Sequence, residues 1–176
     1  MGDSLSAAYG IPVEQGWVAL MEARLAEKFP HCSVVNGSVS GETTAGGKTR
    51  LPDLLTTHKP SHMILELGAN DGLRGLSIDT MKDNLNHMLN LARRNTVQSV
   101  LVGIQIPSNY GPNYSRRFSE TYTEVSRKQK VPLVPFLLEG FALDPNSFQA
   151  DGIHPNASAQ PKMLNNVWPT LAATLK

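Results

Sequence analysis

The chain has 176 residues, 16 Lys and Arg against 15 Asp and Glu, a formal charge of +1, and 40% apolar and 18% charged residues. That length suits one domain with a sizeable core, and so even a charge balance offers no basic surface for phosphates, which argues against nucleic acid as a partner. No apolar run reaches the ~18 residues of a membrane span, the opening Met1-Gly2-Asp3 lacks a charged and then apolar leader, and a lone Cys32 leaves no internal disulfide.

Taken in order, residues 13 to 29 place Trp17, Leu20, Met21 and Leu25 at helical spacing, and Pro30 closes that helix. Ser33-Val34-Val35-Asn36 reads as a short buried strand entering a Gly-, Ser- and Thr-rich loop from Gly37 to Gly47. Leu51, Leu54 and Leu55 suggest a second helix ending before Pro60, and the run His62 to Leu67 a strand that breaks at Gly68 into an Ala69-Asn70-Asp71-Gly72 turn. Ser77 is placed to cap a long helix with Ile78, Met81, Leu85, Met88 and Ala92 on one face. Val100 to Ile106 is the strongest strand, ended by Pro107. A helix from about Tyr114 to Gln129 follows, then a strand from Val131 to Phe136, a long connection over 137 to 153, and a closing helix from Ser158 to Leu175. Strands alternating with helices predict an α/β fold with a mainly parallel sheet, which binds ligands at the carboxyl ends of its strands. One domain over residues 1–176 is expected.

Three distant stretches carry the chemistry. Ser4, in Gly2-Asp3-Ser4-Leu5-Ser6, is a weak nucleophile unless a base takes its proton and donors stabilise the oxyanion. Asp151 and His154, three residues apart, fit on one turn, where the carboxylate can hold one ring nitrogen while the other faces a serine. Asn70 offers a side-chain amide donor past a predicted strand. Read singly, Ser4 is a turn residue, His154 a polar helix cap and Asn70 a turn former. Their joint occurrence at strand exits favours a serine hydrolase. Other features carry less: Gly46-Gly47-Lys48-Thr49 lacks the glycine spacing of a phosphate loop, and His31, His58, His62 and His87 lack metal-ligand spacing. No metal or cofactor is expected. Cys32, Trp17 and Trp168 read as packing, and Asp3 and Asp71 as backbone support for the serine and asparagine turns.

With those residues in view, the chain resembles the SGNH or GDSL hydrolases, and within them the bacterial branch of multifunctional thioesterase, arylesterase and lysophospholipase enzymes. Gly2 to Ala7 resembles the first family block, Val35 to Thr43 the second, Glu66 to Gly72 the third and Asp151 to Asn156 the fifth. The resemblance implies a three-layer α/β/α sandwich, flavodoxin-like, with Ser4 as nucleophile, His154 as base and Asp151 orienting it. It further implies an oxyanion hole of the Ser4 amide, the Gly41 amide and the Asn70 side chain, and a periplasmic location. Relatives carry an apolar strand just before Gly-Asp-Ser, whereas Met1 alone precedes Gly2 here. The first strand is therefore expected to be truncated, with a homodimer that lends a strand as one remedy.

The expected activity is hydrolysis of small-molecule carboxylic esters or thioesters. A deacetylase of acetylated carbohydrate and a catalytically impaired binding domain of the same fold are the alternatives. Leu73, Leu76 and Tyr110, in loops following strand ends beside Asn70, are expected to line the acyl pocket.

Overall fold

The computed structural model describes residues 1–175, the side chain of Ser108 excepted. Its sheet has three parallel strands in the order β1 (His62–Leu65), β2 (Gln98–Val102), β3 (Leu133–Val134). The register pairs Ile64 with Val100 and Leu65 with Leu101, then Leu101 with Leu133 and Val102 with Val134. Ser99 to Val102 are buried without alternation, as a central strand covered on both faces requires.

Among the described residues, six α-helices cover the sheet: α1 (Trp17–Lys28), α2 (Thr44–His58), α3 (Ala69–Leu73), α4 (Ile78–Arg94), α5 (Pro112–Gln129) and α6 (Gln160–Ala172). α1 packs on α6, while α4 packs between α2 and α5, which gives an α/β/α sandwich. α4 forms as its pattern predicts: Ser77 Oγ accepts from the Thr80 N–H, and Ile78, Met81, Leu85, Met88 and Ala92 are buried. Each large apolar side chain so buried contributes about 1.5–3 kcal/mol.

The strands expected over Val100 to Ile106 and Val131 to Phe136 are shorter, ending at Val102 and Val134, and three other expectations change here. The helix predicted over 13 to 29 is divided, because Gly16 is extended (ψ 149) between a single 3-10 turn, Val13–Gln15, and α1. The loop expected to reach Gly47 ends earlier, since Thr43 caps α2 by accepting from the Gly46 N–H. The buried strand expected at Ser33–Asn36 is absent: Val35 is 56% exposed and these residues join no ladder among the described residues. The reason lies in the neighbouring slot.

Met1 N donates to Ile64 O at 2.9 Å, Glu66 N donates to Met1 O at 3.0 Å, and Val39 N donates to Gly2 O at 3.0 Å. Gly2 thus forms a parallel bridge to Glu66 on one side and is held by Val39 on the other. Behind Met1, a groove of about 440 Å³ separates the β1 edge at His62 and Ile64 from Val34 to Gly37, with Met21, Leu25, Leu51 and Leu55 among its walls. Without a strand between them, Ser33–Asn36 has no backbone partner to ladder with.

Candidate active site

Parallel pairing points the carboxyl ends of all three strands the same way, and the chemistry-bearing residues gather there. Gly2, one residue past the end of β1 in register, sends the chain into a tight turn in which Ser6 N and Ala7 N both donate to Asp3 O, at 3.3 and 3.0 Å. Gly2 is required for this approach, because a Cβ would sit 2.6 Å from Glu66 Oε2 and 2.8 Å from Ser6 Cβ. Ser4 rides half-buried on the turn. His154 arrives from the connection before α6, 150 residues away, with Nε2 3.0 Å from Ser4 Oγ. Its Nδ1 lies 2.6 Å from Asp151 Oδ2.

Asp151 also accepts the backbone N–H groups of Ile153 at 2.9 Å and His154 at 3.0 Å on Oδ1. Hydrogen bonds from the His154 backbone and ring, and from the Ile153 backbone, hold its carboxyl below the usual range, at about 2. An ionised Asp151 can only accept, so Nδ1 carries the proton between them and the Nε2 lone pair faces Ser4. The arrangement can therefore deprotonate the hydroxyl.

Asn70 lies in α3, a single short turn of helix rather than the open turn expected. Its Nδ2 donates to Asp3 Oδ2 at 3.2 Å and to Glu42 O at 3.0 Å. The amide is thus strung between the neighbour of Ser4 and the neighbour of Gly41. Gly41 holds a positive φ of 79, and its carbonyl accepts from Arg74 at 2.9 Å. The Ser4 and Gly41 N–H groups donate to no acceptor among the described residues. Asp71 accepts from Thr44 N at 2.8 Å and Thr44 Oγ1 at 2.6 Å, which pins α3 to the start of α2.

Leu73 is half-buried, while Leu76 and Tyr110 are 44% and 41% exposed. Leu73 ends α3, and Leu76, in the loop after it, is tied to the first turn of α5 just past Tyr110, because Tyr114 Oη donates to Leu76 O at 3.0 Å. No group of three or more metal-binding side chains occurs among the described residues.

Sequence reasoning missed two neighbours of the histidine. The Tyr9 ring packs against His154 with centroids 4.5 Å apart. Gln149 Nε2 donates to Tyr9 O at 2.8 Å and Pro155 O at 3.2 Å, while Gln149 N donates to His154 O at 2.8 Å, so one residue fastens the serine loop to the histidine loop. Neither has a local sequence signal, because both contacts span most of the chain.

The chain is 50% identical over 175 residues to the esterase TesA of Pseudomonas aeruginosa, covering 99% of this chain and 87% of that protein. It is 41% identical over 161 residues to thioesterase 1/protease 1/lysophospholipase L1 of Escherichia coli, covering 92% and 76%. A crystal structure of TesA superposes with a TM-score of 0.96 at 50% identity, covering 99% of this chain and 97% of that one. Residues 1–160 match the GDSL-like Lipase/Acylhydrolase family, and the chain belongs to it.

Proposed function

We propose that this single domain hydrolyses small-molecule carboxylic esters and thioesters through an acyl-enzyme on Ser4. The observation that carries the reading is the unbroken line Asp151 Oδ2, His154 Nδ1, His154 Nε2, Ser4 Oγ, with contacts of 2.6 and 3.0 Å. As Ser4 Oγ bonds to the acyl carbon, its proton passes to His154 Nε2 and the carbonyl electron pair moves onto oxygen. The Ser4 and Gly41 N–H groups and Asn70 Nδ2 receive that oxyanion. Collapse expels the alcohol or thiol, which takes the proton from His154. Water then loses a proton to the same nitrogen as it attacks the acyl-enzyme, and the acid leaves as Ser4 regains its hydrogen.

Relatives named esterase and thioesterase support this substrate class. The acyl chain lies between Leu73 and Leu76, at the end of α3 and in the loop after it, and Tyr110, just before α5, whose Tyr114 bonds to Leu76 O. No helix among the described residues is long and apolar enough to cross a membrane, and a periplasmic location follows the family resemblance. A homodimer that lends an extended segment to the groove beside β1 belongs to the same proposal, and turnover per chain that rises with concentration tests it.

A fluorophosphonate probe should label the wild-type chain at one site and leave Ser4→Ala unlabelled. An unlabelled wild-type chain would instead favour a binding domain, and preference for acetyl-sugar over aryl and thioester leaving groups would favour the deacetylase.

A further inference from the structure

The steps above use neither of two buried carboxyl groups beneath the nucleophile, Asp3 at 0% and Glu66 at 1% exposure. Burying a carboxyl group is costly unless its oxygens find donors. Asp3 finds one on each: Oδ1 accepts the Leu5 N–H at 3.0 Å, and Oδ2 accepts Asn70 Nδ2 at 3.2 Å. The first bond closes the turn that carries Ser4. Had that been the whole purpose, one oxygen would suffice. The second reaches an amide 67 residues away whose other acceptor is the backbone carbonyl of Glu42.

We propose that Asp3 is a positioning residue for Asn70: one rigid carboxyl group fixes both the nucleophile turn and the plane of the oxyanion-donating amide, so that the two are set against each other. The inference rests on Asn70 being an oxyanion donor. It also specifies which N–H turns its hydrogen bond to the oxyanion. Both Nδ2 hydrogens are engaged in the resting site, and a carboxylate holds a donor more strongly than a neutral carbonyl does. The hydrogen on Glu42 O is therefore the one surrendered to the oxyanion, while Asp3 keeps the other and prevents the amide from swinging.

Asp3→Asn preserves the shape but leaves one acceptor oxygen where two were needed, so either Leu5 N–H or Asn70 Nδ2 faces an NH₂ group. A donor lost outright costs about 100- to 1000-fold in turnover; a donor misplaced but present should cost about 10- to 100-fold in kcat, with KM within about twofold. In an Asn70→Ala background, the same substitution should cost less than about threefold, because the residue it acts through is gone. An equal loss in both backgrounds, or none in the wild type, would overturn the proposal while leaving Asn70 as a donor. An Asn70→Ala variant with unchanged kcat would remove the oxyanion reading together with this one. Should Asp3→Asn not fold, side-chain amide NMR of the wild-type chain decides. The Asn70 Nδ2 protons, assigned by their loss in Asn70→Ala, should exchange slowly and lie downfield; free-asparagine shifts and exchange would overturn the proposal.

Discussion

Tyr9 stands against the imidazole that must become positive when Ser4 is deprotonated. Its ring is tilted 39° to that of His154 at 4.5 Å between centroids, and the residue is 51% exposed. An aromatic face beside a cation at an exposed site contributes about 0.5–1 kcal/mol, which is about two- to fivefold in rate. Tyr9→Phe should therefore keep wild-type kcat on an aryl ester, and Tyr9→Leu should lose about two- to fivefold. If both variants lose equally, the hydroxyl and not the ring is responsible, and if leucine is silent the stacking contributes nothing. At this scale the sequence discloses what is local. Asp151 and His154 are three residues apart and their hydrogen bond follows from one turn. Tyr9 carries no such mark: it is one aromatic in a turn, and only the fold brings residue 145 positions later against it.

Between elements, the meeting of Ser4 and His154 depends on two loops from opposite ends of the chain. Gln149 bridges them through Tyr9 O and Pro155 O. Misplacing reacting groups by about 1 Å costs about 100-fold. Gln149→Leu removes the side-chain bridge but keeps the backbone bond to His154 O at 2.8 Å. A kcat loss of about tenfold is expected, with unchanged circular dichroism; undiminished kcat would mean that the loops hold each other without the glutamine. The elements themselves were legible where periodicity and caps agree, as in α4 with Ser77. The start of α2 is hidden in the sequence because Gly46 and Gly47 resemble a loop, yet Gly47 sits where α2 packs so closely that a Cβ would lie 2.4 Å from Leu67 Cδ1. Ser33–Asn36 has the residues of a strand but does not form one. A strand exists only through its neighbours, and the groove beside β1 leaves this segment none.

For the whole molecule, the Asp3 and Glu66 pair makes folding depend on pH in the direction opposite to an ordinary salt-bridged carboxylate. Burial, followed by the Asp3 charge, pushes the Glu66 carboxyl well above its usual range, and burial raises Asp3 to about 6. Glu66 Oε2 nevertheless accepts from Ser6 Oγ at 2.7 Å and from Asp3 N at 3.3 Å, which a protonated carboxyl can do as well as an ionised one. In the unfolded chain both groups release their protons near pH 4. Above that pH these two carboxyl groups hold more protons in the folded state than in the unfolded one, so their contribution to stability is greatest at low pH and falls as pH rises through the folded values. Each retained proton contributes a slope of at most about 1.4 kcal/mol per pH unit. Asp3 ceases to contribute above about 6, and Glu66 continues beyond it. Glu66→Gln keeps an oxygen for Ser6 and Asp3 but has no proton to lose. Urea unfolding at pH 5, 6, 7 and 8 should therefore show wild-type stability falling relative to the variant with each step, the gap widening towards pH 8. Parallel curves for the two proteins would mean that Glu66 ionises in the folded state as it does in water, and that the floor beneath Ser4 is not the low-dielectric site its burial implies.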